Sequence, residues 1–183
     1  MGVSIRHPFY AKKENILKAI DLAKDFDEFL IFVVDLPYRL SLQAFKNISE
    51  QEAEKIALRE GEELMRFLIH TTKQFRGVKI SSWKESIDKN YYKLLSEVKV
   101  LEKKNKEFSR LVEGEFTETV VSKLRKNIKK RELSKNFIME EIAMFASLVL
   151  RGFSTRISKY SRSKSIDFFL KGKNKNLDHI QIR

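Results

Sequence analysis

The run Phe29-Leu30-Ile31-Phe32-Val33-Val34 constrains the fold more than any other feature of this chain. Six consecutive apolar residues, mostly β-branched or aromatic, fall far short of the roughly 20 needed to cross a bilayer. They also lack the alternation of a strand with one wet face. Ended by Asp35 and followed by Pro37, the run reads as a strand of a parallel sheet that is covered on both faces.

The flanking segments fit that reading. Asn15-Ile16-Leu17 through Leu22 and Ala23 have helical spacing, and Ser49 with Glu52 forms a capping box. That box opens a long helix whose apolar stripe includes Ile56, Leu64, Phe67 and Leu68. Gly77 to Ile80 is a second short strand, and Ser82 with Glu85 caps a further helix expected to reach Leu111. Lys123 to Lys135 is basic and helical in pattern, and Ser134 is the expected cap of an apolar helix through Ile138 and Phe145 to Leu148. Ile157 to Tyr160 and His179 to Ile182 are candidate strands, and only Lys171 to Asn176 approaches low complexity. No internal repeat is present. Alternating strands and helices predict an open α/β sheet with its site at the carboxyl ends of the strands, in one domain spanning 1–183.

Charge is distributed unevenly. Of 37 basic and 25 acidic residues, 16 basic and five acidic lie between Ser122 and Arg183, so this third carries +11 of the net +12. A field of that kind suits a polyanion, with RNA, DNA or an anionic membrane as the candidate classes. A solvated face that keeps the protein in solution would have the same composition. The absence of cysteine excludes disulfides, thiol catalysis and thiolate metal sites. The sequence contains no Gly-rich phosphate loop and no cluster of histidines. With no signal-peptide pattern and no myristoylation signal at Gly2, a soluble, cytoplasmic protein is expected.

The strand-end rule directs attention to Gly2-Val3-Ser4. A small serine at a strand end is ordinarily a turn or helix cap. A serine nucleophile for amide hydrolysis also needs a base, and the three histidines, His7, His70 and His179, stand in no recognisable triad context.

The combination is more informative than any one motif. Gly2-Val3-Ser4 with Phe9, the strand ending Val34-Asp35-Leu36-Pro37, the stretch Asn136-Phe137-Ile138-Met139-Glu140-Glu141-Ile142-Ala143-Met144-Phe145, and Tyr160 with Leu170 ten residues on occur in that order. This set, spanning essentially the whole chain, resembles the tRNA-dependent cyclodipeptide synthases. The resemblance implies a Rossmann-like open, mostly parallel sheet flanked by helices, similar to class I aminoacyl-tRNA synthetase catalytic domains. It implies that aminoacyl groups from two charged tRNAs are joined and released as a diketopiperazine, chemistry that uses no metal or redox cofactor.

Carried over by position, Ser4 corresponds to the nucleophile that accepts the first aminoacyl group. Glu141 corresponds to the carboxylate that holds the substrate's α-amino group and moves protons, and Tyr160 to the hydroxyl of the proton relay. Phe137 stands where the family usually has a second tyrosine, four residues before the glutamate and therefore on the same helix face. The missing hydroxyl removes one hydrogen bond, worth about 0.5–1.5 kcal/mol. Phe32, Met144 and Phe145 are expected to line the first aminoacyl pocket, with Phe32 and Phe145 also serving as core. His7 and Ser161, the residue after Tyr160, match neither main subfamily fully, so the subfamily and the pair of amino acids stay open.

In the best-known members one strongly basic helix grips the tRNA. The matching helix here, from Ser49 onward, is acidic at its start, with Glu50, Glu52, Glu54, Glu60, Glu62 and Glu63. The tRNA surface is therefore expected at Lys123, Arg125, Lys126, Lys129, Lys130 and Arg131. The resemblance also implies a monomer. Two other functions fit the same residues: a non-catalytic basic RNA-binding module, and an aminoacyl-tRNA transferase or deacylase on the same fold.

Overall fold

The computed structural model describes residues 2–5, 9–21, 29–114, 127–151 and 164–173, apart from the side chain of Lys129. The chain divides into two compact units, Met1–Ser86 and Ile87–Arg183.

The first unit contains strands β1 (Gly2–Ser4), β2 (Phe29–Val34) and β3 (Val78–Ser82), hydrogen-bonded in that order. Both pairings are parallel, with Ser4 opposite Val34 and Val33 opposite Ser82. The expected doubly covered strand is therefore found: Ile31, Phe32, Val33 and Val34 are all buried. Helix α1 (Lys13–Asp21) follows β1; Leu22 and Ala23 of the expected segment lie outside the described residues. Helix α3 (Glu50–Thr72) begins at the expected cap, where the Ser49 hydroxyl accepts from the Glu52 amide at 3.2 Å. Val3, Ile31 and Val33 from the sheet, Ile16 and Ile20 from α1 and Leu68 from α3 form one apolar cluster.

One element here was not anticipated. Helix α2 (Tyr38–Lys46) starts at Pro37 and ends at Asn47, whose φ of 56° gives the left-handed turn that stops a helix. Its buried residues Leu40, Leu42 and Ala44 recur every second position, which hides the helical period in the sequence. Leu42 packs against Ala53 and Ala57 of α3.

Asp35, at the end of β2, joins three elements. Its buried Oδ1 accepts from the amide of Leu36 at 2.8 Å and from that of Trp83, just after β3, at 3.0 Å. Gly61 of α3 lies directly against it, and a side-chain carbon at 61 would collide with the Asp35 Cβ. Burial pushes the Asp35 carboxyl above its ordinary range, and the bonds from Leu36, its own amide, Lys84 and Trp83 offset part of that rise.

The helix expected from Ser82 to Leu111 is three helices: α4 (Trp83–Ser86), α5 (Lys89–Lys104) and α6 (Lys106–Gly114). The capping box at Ser82 and Glu85 does form, with reciprocal bonds of 3.2 and 3.0 Å. Two more caps then interrupt the chain: Asp88 accepts from the Tyr91 amide and Asn105 from the Phe108 amide. Each short polar side chain offers its neighbours a better partner than a continued helix would.

In the second unit α5 packs on α7 (Ile128–Leu150), and α6 packs on α7 and on α8 (Lys164–Lys173). Asn127 is the cap of α7, and the helix runs unbroken past Ser134. Ser134 is therefore no cap; its hydroxyl donates to the Lys130 carbonyl at 3.0 Å, one turn back. Helix α8 was masked by its lysines in the sequence, yet Phe168 and Phe169 stack on the buried Phe108, with centroids 5.6 and 6.4 Å away. The candidate strands at 157–160 and 179–182 lie outside the described residues. Among the described residues no helix is long and apolar enough to cross a membrane.

A largely buried ion pair fastens α7 to α5. The Lys135 Nζ lies 2.6 Å from Glu102, with side chains 12% and 11% exposed, and Ser109 donates to the same carboxylate at 2.9 Å. Burial alone would raise the Glu102 carboxyl, but the bonds from Lys135 and Ser109 hold it below its ordinary range.

Two stability measurements follow. Asp35→Ala, which strands the Leu36 and Trp83 amides, should cost about 1–3 kcal/mol per unsatisfied donor in urea unfolding, while Asp35→Asn keeps an acceptor and should cost less. A raised native pKa means stability falls as pH rises above the ordinary aspartate range, and Asp35→Asn should lose that component. Lys135→Met should destabilise by on the order of 3 kcal/mol, because it leaves the Glu102 charge buried alone. The lowered Glu102 pKa gives the opposite sign: its contribution disappears as pH falls below the ordinary glutamate range, and the Met variant should not show that acid loss.

Candidate active site at the carboxyl ends of the strands

The three parallel strands end together, so the residues that close them form one edge: Ser4 on β1, Asp35 after β2, and Ser82 and Trp83 at the end of β3. Open α/β sheets place their sites at such an edge. Alternation along the strands sorts the side chains. Val3, Ile31 and Val33 face α1 and α3, whereas Gly2, Ser4, Phe32 and Val34 share the other face. Gly2 pairs with Phe32, so no side chain from β1 stands beside that ring.

Phe32 is 2% exposed and tilts at 41° against the indole of Trp83, centroids 5.6 Å apart. It is therefore core, and on the same sheet face as Ser4. A polar cluster joins the end of β3 to α4: the Ser81 and Ser86 hydroxyls lie 3.1 Å apart and Ser81 also reaches Glu85 at 3.5 Å. Asp35 acts from the opposite face through the Trp83 amide, so the indole that supports Phe32 is held by its own backbone.

Ser4 also borders a cavity of about 400 Å³ in the first unit. Ile5, Tyr10 and Ala11 complete the β1 side, and α3 contributes Arg59, Glu60, Glu63, Leu64 and Phe67. Its size falls within the range of about 300–1,000 Å³ that holds small ligands. Glu60 is buried, whereas Arg59 and Glu63 are exposed. None of these α3 positions, nor Asp35, Gly61 or Trp83, was singled out for a site by sequence. The available signals were the acid that ends an apolar run and the density of glutamates on α3.

On the second unit, α7 carries Phe137, Glu141 and Phe145 at four-residue intervals, on one stripe and each half-buried. Met144 is fully buried. The neighbouring Glu140 is only 6% exposed, so neither glutamate is an ordinary solvent-facing residue. Of the expected tRNA-contacting residues, Lys130 and Arg131 occupy the first turn of α7, and Arg131 is paired with Glu113 at 2.6 Å. Lys129 lies in the same turn. His7, Lys123, Arg125, Lys126, Tyr160 and Ser161 lie outside the described residues.

No family model and no curated protein matches this sequence. Solved structures do. A cyclodipeptide synthase from Fluoribacter dumoffii superposes with a TM-score of 0.80 at 17% identity, over 96% of this chain and 84% of that one. AlbC, a cyclodipeptide synthase from Streptomyces noursei, gives 0.63 at 19% identity, over 92% and 84%. A Mycobacterium tuberculosis protein gives 0.60 at 15% identity, over 78% and 63%; its structure relates cyclodipeptide synthetases to type I tRNA synthetases. With a parallel sheet flanked by helices and that agreement along nearly its whole length, the chain has the fold of the cyclodipeptide synthases.

Proposed function

We propose that this protein is an aminoacyltransferase that takes two aminoacyl-tRNAs and releases a cyclodipeptide through an aminoacyl-serine intermediate. The observation that carries the reading is Ser4, at the carboxyl end of a parallel strand and on the border of a cavity, in a chain with the cyclodipeptide synthase fold. Residues 1–183 are read as one catalytic domain that acts as a monomer.

The chemistry asks little of the protein. An aminoacyl ester on ribose is already activated, so moving the acyl group to a serine hydroxyl exchanges one ester for another without a metal or redox cofactor. The Ser4 oxygen attacks the ester carbonyl, its proton passes to an acceptor, and the ribose oxygen leaves with a proton. The α-amine of a second aminoacyl-tRNA then attacks the seryl ester and frees the hydroxyl. Finally the first residue's amine attacks the remaining ribose ester, closing the ring and releasing the second tRNA. Positioning supplies much of the rate for such steps, and a modest proton acceptor suffices.

In this reading Glu141 binds the α-ammonium group of the first aminoacyl residue and passes protons, with Tyr160 in the relay. Half-burial suits Glu141 to that role, since a carboxylate shielded from water binds an ammonium more strongly. Phe137, one turn before it, gives an apolar wall where a hydroxyl would otherwise bond the amine. By the same correspondence Phe32, Met144 and Phe145 would line the first aminoacyl pocket, and His7 and Ser161 would be further substrate-binding positions. Lys123, Arg125, Lys126, Lys129, Lys130 and Arg131 hold the acceptor arm, and the charged amino acid inside the pocket supplies the selectivity that base contacts would otherwise give.

Two experiments test this. The protein incubated with a mixture of charged tRNAs should form diketopiperazines detectable by mass spectrometry, with an aminoacyl adduct that Ser4→Ala abolishes. Deacylated tRNA without cyclic product would identify a deacylase, and bound but unchanged tRNA a binding module. Neutralising Lys129, Lys130 and Arg131 together should weaken tRNA binding and flatten its salt dependence by about 0.7–0.9 log units per lost phosphate contact. An unchanged slope would place the acceptor arm elsewhere.

A further inference from the structure

Helix α5 carries a cationic face that residue counts along the chain conceal. The first 121 residues hold 21 basic and 20 acidic side chains, which leaves no local excess to read. At about 100° per residue, Lys89, Lys93 and Lys104 line one ridge of α5 with Val100, and Lys99 and Lys103 line the adjoining ridge with Tyr92. All five lysines are exposed, and Tyr92 and Val100 among them are 61% and 47% exposed. The acids of this helix are Glu97 and Glu102, and neither shares the face. Glu97 is held in an ion pair with Lys173 of α8, and Glu102 in one with Lys135 of α7. The fold thus neutralises the carboxylates of α5 from its inner side and leaves five ammonium groups on a strip about 22 Å long.

We infer that this face of α5 binds the phosphate backbone of an RNA stem and extends the tRNA surface proposed at the start of α7, the reading on which it rests. Helices α5 and α7 run antiparallel, because Glu102 meets Lys135 near one end and Asp88 meets Arg151 at the other. Lys103 and Lys104 therefore stand at the end of α5 that lies beside the first turns of α7, where Lys130 and Arg131 are. The two sets of cations meet at one end of the unit. An anionic membrane is another surface that such a strip could face, but a helix held at a bilayer buries its apolar side there. The apolar side of α5, with Tyr91, Leu94 and Val98, is buried in the protein, and α7 packs on the helix. Phosphates along an RNA strand need only charge at intervals, and such contacts fix position without reading sequence.

The test combines Lys93→Gln, Lys99→Gln and Lys103→Gln in one full-length chain and uses deacylated bulk tRNA as the probe. Lys46→Gln, Lys55→Gln and Lys73→Gln, at exposed positions of the first unit, make a control of equal net charge. The α5 variant should bind tRNA about tenfold or more weakly at about 0.1 M salt, and its log K should depend less on log salt by about 0.7–0.9 per lost contact. The control should stay within about threefold of the unaltered chain, since it removes charge without removing contacts. In the unaltered chain, bound tRNA should protect the same three lysines of α5 from acetylation, which mass spectrometry reads without any substitution. Unchanged affinity and slope, an equal loss in the control, or no protection overturns the surface. Retained tRNA binding with lost binding to vesicles of phosphatidylserine and phosphatidylcholine identifies a membrane face and also overturns it. Product formation is scored separately. Diketopiperazine made by the unaltered chain, with normal tRNA binding by the α5 variant, refutes the surface and leaves the reaction standing. Loss of tRNA binding by the α5 variant, in a protein that makes no cyclic product, supports the surface and refutes the reaction.

Discussion

The carboxylate of Asp35 holds the reactive edge of the sheet in place. It accepts the amide after its own strand and the amide after the next strand, so the ends of β2 and β3 are fixed by one group. The third element reaches it only because residue 61 has no side chain. Each strand end otherwise presents amides that would need water, and a buried amide without an acceptor costs about 1–3 kcal/mol. With Asp35 in position, Trp83 has a fixed backbone, its indole supports Phe32, and Phe32 fills the sheet face that carries Ser4. A carboxyl raised by burial is the energetic cost of that arrangement.

The second unit uses charge differently. Its surplus of cations suggests a broad field for a polyanion, but several of them hold the unit together. Lys135 binds Glu102 across α7 and α5, Arg131 binds Glu113, and Lys173 meets both Glu97 and the face of Phe169. A lysine that is 12% exposed cannot reach a phosphate without abandoning its carboxylate. The formal +11 therefore overstates the charge available to RNA, and position in the fold decides which cations remain for a ligand.

Much of the architecture was legible in the sequence because its signals are local. An unbroken apolar run ended by an acid specified β2 and its burial, and Ser49 with Glu52 specified where α3 begins. The order of short motifs from Gly2 to Leu170 indicated the family whose fold the chain has. Errors arose where two local signals competed. Asp88 and Asn105 each bond an amide three residues on, and that preference divided an otherwise uniform helical pattern into three helices. Ser134 could bond forward as a cap or backward to a carbonyl, and because Asn127 already caps the helix seven residues earlier, Ser134 lies inside it and bonds backward. Helix α2, with its apolar residues at alternate positions, gave no helical period to read.

The sequence by itself determined that β2 would be covered on both faces, that Ser4 would end a strand, and that positions 137 and 141 would share a helix face, because strand alternation and helical periodicity are properties of the backbone. Only the tertiary structure decided that Asp35 would be the acceptor for Trp83, 48 residues away, that residue 61 would need to be glycine, and that Arg59, Glu60 and Glu63 of α3 would line one cavity with Ser4. Those facts depend on which segments meet across the sheet. Contacts between residues distant in sequence arise from packing, and no local pattern in this chain encodes them.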